Sequence, residues 1–159
     1  MKNPIFTGSA VALVTPFGPD GTVNFEMLTR LIDMHLQSGT DAIVLCATTG
    51  ESPTLTAAEY EEVLRRGIQQ IAGRVPVIAG AGSNSTAHAL EMCQTAQAAG
   101  ADALLIVTPY YNKTSQVGLV SHYTYLADRV KKPIIIYNVP SRTGVNVKPA
   151  TYQILSDHP

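Results

Sequence analysis

Pro133-Ile134-Ile135-Ile136-Tyr137-Asn138-Val139-Pro140-Ser141-Arg142-Thr143-Gly144 sets a short β-branched run, fenced by prolines, directly before a phenol, an amide, a hydroxyl and a guanidinium. An unbroken apolar run bounded by turn residues reads as a strand buried on both faces, as in parallel sheets. Parallel α/β folds carry their ligand groups at the carboxyl ends of such strands. Folding alone requires no such density of polar side chains, so the segment marks part of a candidate active-site face.

Working outward, further strand-like runs fall at 9–14, 42–46, 75–79 and 103–107, before the one at 134–137. Helical patterns fall between and after them, at 25–37, 57–71, 85–98, 116–130 and 148–156. Met27, Leu28, Leu31, Ile32 and Leu36 keep one helical stripe. Thr56 followed by Glu59 is a capping-box pattern, and Gly39, Gly73 and Gly100 stand where helices should end in left-handed caps. Gly39-Thr40-Asp41-Ala42 and Gly100-Ala101-Asp102-Ala103 repeat the same helix-to-strand junction two units apart. Repeated βα units with right-handed crossovers predict a parallel sheet. Nothing divides the 159 residues, and a single domain is expected over 1–159.

Five units leave two architectures open. A closed (β/α)8 barrel needs eight, usually in about 250 residues. An open doubly wound sheet of the flavodoxin kind needs only five, so length by itself favours the open sheet.

Composition narrows the function. Hydrophobic residues make up 45% and charged residues 14%, with mean hydropathy +0.10 and formal net charge -1. Those values suit a globular chain with a substantial core. The 11 Lys and Arg are dispersed, so no nucleic-acid partner is expected. No apolar run approaches the ~20 residues of a membrane span, and no signal-peptide core stands near Met1, so no membrane partner is expected. Cys46 and Cys93 lie on different predicted elements, which suits a reduced, cytoplasmic chain. The four histidines show no metal-ligand spacing; His35 and His122 read as helix-flank residues, and Cys46 as an inert strand residue.

The remaining strand ends carry the rest of the candidate site. Thr48-Thr49-Gly50-Glu51-Ser52 offers hydroxyls and backbone N–H groups to a carboxylate, or else forms a tight turn before a helix. Gly80-Ala81-Gly82-Ser83-Asn84 invites a phosphate reading, but Ser85 stands where GxGxxG has its last glycine, so a turn with Asn84 or Ser85 as N-cap is expected. In Thr108-Pro109-Tyr110-Tyr111-Asn112, adjacent tyrosines on extended backbone point opposite ways. Two tyrosines and a threonine at neighbouring strand ends can form a hydroxyl chain that moves a proton. Arg142 can hold a carboxylate bidentately, or be a solvated charge.

Together these segments, with Gly8 to Phe17 and Pro76 to Gly80, resemble in order and spacing the dihydrodipicolinate synthase (4-hydroxy-tetrahydrodipicolinate synthase) family of the N-acetylneuraminate lyase superfamily. That family is built on (β/α)8 barrels with extra C-terminal helices, so the resemblance implies an incomplete TIM barrel of about five βα units rather than the open doubly wound sheet. It implies a class I aldolase-type lyase that joins pyruvate to L-aspartate 4-semialdehyde in the diaminopimelate route to lysine, through a lysine Schiff base. It implies no cofactor, no metal and a homo-oligomer, a homotetramer, in the cytoplasm. By the same resemblance Tyr137 is the proton-shuttling phenol, Thr48 links two tyrosines, and Tyr111 completes the relay from a neighbouring subunit. Thr49 holds the pyruvate carboxylate, Arg142 the semialdehyde carboxylate, and Asn84 and Tyr110 match a possible lysine feedback site.

Three departures qualify it. Ala47 stands where the family has Gly, and His88 where feedback-regulated members have Glu, which argues against lysine inhibition. No lysine follows an apolar strand: Lys2, Lys113, Lys131, Lys132 and Lys148 are the lysines present. The resemblance puts the Schiff-base lysine a few residues past Pro159, so the isolated chain is expected to be inactive. The alternative is a non-catalytic keto-acid-binding or assembly fragment.

Overall fold

The computed structural model describes residues 4–158; Lys2 lies outside them. Five strands form one sheet: β1 (Ala10–Ala12), β2 (Ala42–Leu45), β3 (Val77–Gly80), β4 (Ala103–Val107) and β5 (Ile134–Tyr137). All pairings are parallel and the order is β1-β2-β3-β4-β5. The helices are α1 (Phe25–Gln37), α2 (Ala57–Ile71), α3 (Thr86–Ala99), α4 (Gln116–Ala127), α5 (Pro140–Thr143) and α6 (Pro149–Ser156).

Strand order decides between the two architectures. A doubly wound sheet reverses direction at a switch point. Here every crossover steps to the next strand, so right-handed connections put the helices on one face. The period-2 alternation of the strands records the result. Ile43, Leu45, Val77, Ala79, Leu104 and Ile106 join the helices in the larger core. Ala42, Val44, Ile78 and Ala103 face the other way and pack with Ile5 and Phe6. This is the winding of a (β/α)8 barrel, open between β1 and β5.

Fully buried Leu28, Ile32, Leu64, Leu119 and Leu126 fix the helices to the sheet, each contributing about 2 kcal/mol by area removed from water. The repeated junction has a structural purpose. Asp41 Oδ2 accepts from the Ser9 amide at 2.7 Å, and Asp102 Oδ2 from the Val77 amide at 2.8 Å. Each carboxylate thus staples its strand to the start of the preceding one, at the end opposite the candidate site.

Helix starts follow their caps. Thr56 and Glu59 close a reciprocal capping box on α2, and Ser85, not Asn84, caps α3. Two expectations need correction. The C-cap of α2 is Ala72 at φ 51°, with Gly73 following it. The predicted fourth helix stops at Ala127 rather than 130, because Asp128 to Lys132 turn back to begin β5 before Pro133, which disfavours helix in the residue ahead of it.

His122 is also corrected: it is 5% exposed, not on a flank. Its Nδ1 lies 2.8 Å from Thr86 Oγ1, joining α4 to α3, while Nε2 is buried without a hydrogen-bond partner. Burial disfavours the imidazolium and lowers its pKa below 6.5. The unfolded chain therefore binds the proton more readily, and stability falls as pH drops below the unfolded value. Thermal melts from about pH 7.5 to about pH 5 are expected to show a decline that flattens in His122→Asn. Equal slopes in the two proteins would refute this.

Candidate functional site

The carboxyl ends of the strands surround a cavity of about 760 Å³. Its walls come from the segments after β2, β3, β4 and β5 and from α2 and α3, and the candidate residues that line it stand after β2, after β4, and at and after β5.

After β2 the chain turns sharply at Cys46, φ 53°, so that it crosses over the end of β3. Gly80 permits this crossing: a Cβ there would lie 2.2 Å from the Cys46 carbonyl oxygen. The next turn carries Thr48 and Thr49, both exposed, and is pinned from below by buried Thr15, whose hydroxyl donates to the Gly50 carbonyl at 2.7 Å. Glu51, φ 53°, leads into a short 3₁₀ turn over Ser52–Thr54. From α2, the Tyr60 hydroxyl donates to the Gly80 carbonyl at 2.9 Å, fixing the end of β3. Cys46 lines the cavity, but burial pushes its thiol up to about 12, so it stays protonated and un-nucleophilic near neutral pH.

After β4, Thr108 is fully buried and its amide donates to the Tyr137 carbonyl at 3.2 Å. The adjacent tyrosines do diverge. Tyr110 is half-buried, whereas Tyr111 is 91% exposed with a left-handed φ of 67°. Among the described residues five non-glycines have positive φ: Ala72 caps α2, whereas Cys46, Glu51 (which caps the 3₁₀ turn), Tyr111 and Lys113 belong to loops at this end. Strained backbone of this kind gathers at functional sites.

After β5, the segment read as a loop contains the one-turn helix α5, begun by Pro140 and ended by Gly144 at φ 69°. Tyr137 pairs in register with Val107 and shares the inner face with Ile135. Arg142 stands exposed near the end of α5 and makes no ion pair among the described residues.

Thr48, Tyr110, Tyr111, Tyr137 and Arg142 line this one cavity. Thr49 and Asn84 do not; the Asn84 carbonyl instead accepts from Asn112 Nδ2 at 3.1 Å. No hydrogen bond joins the hydroxyls of Thr48, Tyr111 and Tyr137 to one another among the described residues. Of the described lysines none lines the cavity: Lys131 and Lys132 lie in a separate depression beside Pro133, and Lys148 caps α6. No group of three or more His, Cys, Asp or Glu suited to a metal stands together among the described residues.

Sequence reasoning did not single out Thr15 or Tyr60 as builders of the site, nor Gly80 as the residue that lets the Cys46 turn cross β3. Thr15 carried a signal, being a polar residue ahead of Pro16 just past an apolar strand. Tyr60 carried none, since a tyrosine on an amphipathic helix does not announce its acceptor.

A singly wound α/β sheet with its polar groups gathered at the strand carboxyl ends defines the (β/α)8-barrel class. The model of the Dihydrodipicolinate synthetase family matches residues 5–159, and the chain belongs to that family. It is 59% identical over 155 residues to a 4-hydroxy-tetrahydrodipicolinate synthase of Thermoanaerobacter sp. (strain X514), covering 98% of this chain and 52% of the relative. The chain spans about half the length of the curated relatives it matches. The chloride-inhibited dihydrodipicolinate synthase of Acinetobacter baumannii, solved with pyruvate, superposes with a TM-score of 0.94 at 46% identity, over 96% of this chain and 52% of the other. The enzyme of Cyanidioschyzon merolae, solved with lysine bound, gives 0.93 at 38% identity, over 98% and 53%.

Proposed function

We propose that this chain is part of a 4-hydroxy-tetrahydrodipicolinate synthase, which condenses pyruvate with L-aspartate 4-semialdehyde in the diaminopimelate route to lysine. One observation carries the reading: Thr48, Tyr111, Tyr137 and Arg142, at or after the ends of β2, β4 and β5, line one cavity at the strand carboxyl ends. A keto acid needs an amine to form an imine, with loss of water, before its methyl group becomes acidic. No described lysine lines the cavity, and in this reading the amine is the Schiff-base lysine that the family resemblance places past Pro159. The imine then loses a methyl proton to give an enamine, whose carbon attacks the aldehyde. Tyr137 takes and returns protons, Thr48 passes them on, and Tyr111 of another copy closes the relay. Arg142 holds the semialdehyde carboxylate as a bidentate pair; the pyruvate carboxylate falls to Thr49 by the family resemblance alone, since Thr49 is exposed and outside the cavity lining.

Tyr111 supports the homo-oligomer in this reading, being 91% exposed with no bonded hydroxyl. Residues 1–159 act as a single domain of a cytoplasmic enzyme, consistent with free, buried Cys46 and Cys93. Tyr110 and Asn84 remain the candidates for a lysine site, with His88 weakening it by lacking a carboxylate.

The test is borohydride trapping with pyruvate, read by intact mass. The full-length protein is expected to gain one reduced pyruvyl adduct, on a lysine outside this chain, and the isolated chain none. A stable adduct on the isolated chain would overturn the assignment. A second reading, keto-acid binding without turnover, is favoured for the isolated chain because no lysine among the described residues lines the cavity. Calorimetric titration of monodisperse chain with pyruvate tests it: heat of binding without an adduct supports it.

A further inference from the structure

We infer that Asn138 is the positioning residue for Arg142, and this rests on the reading of Arg142 as a carboxylate holder given above. The Arg142 side chain makes no ion pair with the described residues, so its location depends on the backbone that carries it. That backbone leaves β5 at Tyr137, makes the single turn α5 and re-enters the core at Val145 and Val147, which are 5% and 4% exposed.

Two sets of bonds hold this excursion. Thr143 works locally: its hydroxyl donates to the Val145 carbonyl at 3.1 Å and lies 3.3 Å from the Val139 carbonyl. These bonds shape the turn but do not say where it points. Asn138 does. Its Oδ1 accepts from the Val147 amide at 3.2 Å, and its Nδ2 donates to Asn146 Oδ1 at 2.9 Å. The two contacts clasp the far end of the loop to the residue next to Tyr137. Asn146 is held from the helix layer as well, since Gln116 Nε2 on α4 donates to its carbonyl at 2.9 Å.

One amide therefore fixes the phenol of Tyr137 and the guanidinium of Arg142 in a common frame. Binding a carboxylate bidentately requires such a frame, because both N–H groups must be aimed before the ligand arrives. Loss of Asn138 would leave the buried Val147 amide unpaired and free the turn to drift.

The test uses the full-length protein, with steady-state kinetics on both substrates and a thermal melt for each variant. Asn138→Leu keeps the volume and removes both bonds. It is expected to raise KM for the semialdehyde about tenfold while leaving KM for pyruvate within about twofold. Asn138→Asp keeps the acceptor for Val147, and the Asn146 amide can turn its NH₂ group toward it, so this variant is expected to stay within about threefold of the parent. Asn146→Ala removes only half the clasp and serves if Asn138→Leu does not fold; it is expected to shift the same KM in the same direction. Equal rises in both KM values, or no shift in the semialdehyde KM, would overturn the positioning role. Arg142→Ala separates the two claims. If it raises the semialdehyde KM while the clasp variants are silent, the role of Asn138 fails alone. If it too is silent, the carboxylate reading of Arg142 fails with it.

Discussion

Tyr137→Phe is expected to lower kcat of the full-length protein by about 10²–10⁴-fold, the usual worth of a positioned general acid–base. The substitution removes one oxygen. Phenylalanine retains the ring at the inner-face position in register with Val107, above Ile135, so folding and pyruvate access should be preserved. The loss should therefore fall on kcat, with a smaller change in KM for either substrate. Steady-state kinetics with a thermal melt of each protein provide the check. A variant that keeps kcat within about threefold of the parent would remove Tyr137 from the proton relay.

Gly80→Ala is expected to destabilise the chain by about 3 kcal/mol, the upper end for overpacking, because the obstacle is backbone rather than a side chain that can swing away. The added methyl would lie 2.2 Å from the Cys46 carbonyl oxygen and 2.8 Å from the Ala47 Cα. Relief requires the Cys46-Ala47 crossing to rise, which moves Thr48 and strains a residue already at φ 53°. Gly21→Ala is the control. Its backbone is left-handed at φ 82° with nothing within 4 Å of the new methyl, so it loses only the glycine preference, about 1 kcal/mol. Urea denaturation of both variants measures the difference. A Gly80→Ala protein no less stable than Gly21→Ala would show that the crossing is soft.

Much of this fold was legible because its parts repeat. The runs at 103–107 and 134–137 and the helices at 25–37 and 57–71 fall where periodicity and caps predict them. The first strand is shorter than expected, Ala10–Ala12 against 9–14, since only these residues pair with β2 and the chain then leaves for the Phe17–Val23 bridge. Winding was not legible from period: five βα units serve either architecture, and strand order is a property of the assembled sheet. The family resemblance settled in sequence what local patterns could not.

At the site, residue types at strand ends pointed to tyrosines, a threonine and Arg142, the family resemblance singled out Thr48, Tyr111 and Tyr137 among them, and these four residues line one cavity. Thr49 was harder, because two neighbouring threonines in a turn look alike in sequence; in the structure both are exposed and Thr48 is the one that lines the cavity. Asn138 was hidden for a different reason. Its partners lie eight and nine positions away, across a turn whose helical character arises from Pro140 and Gly144 rather than from any apolar stripe.

Sequential winding has a kinetic consequence. Each strand pairs only with its neighbours in the chain, and α1, α2, α3 and α4 likewise pack in succession. Loop-closure entropy is then lost in short instalments, one crossover at a time. Order can start at whichever pair forms first and spread strand by strand in both directions, much as in a solenoid. Amide exchange followed through refolding would display that spread as protection advancing between adjacent units, not as one simultaneous event.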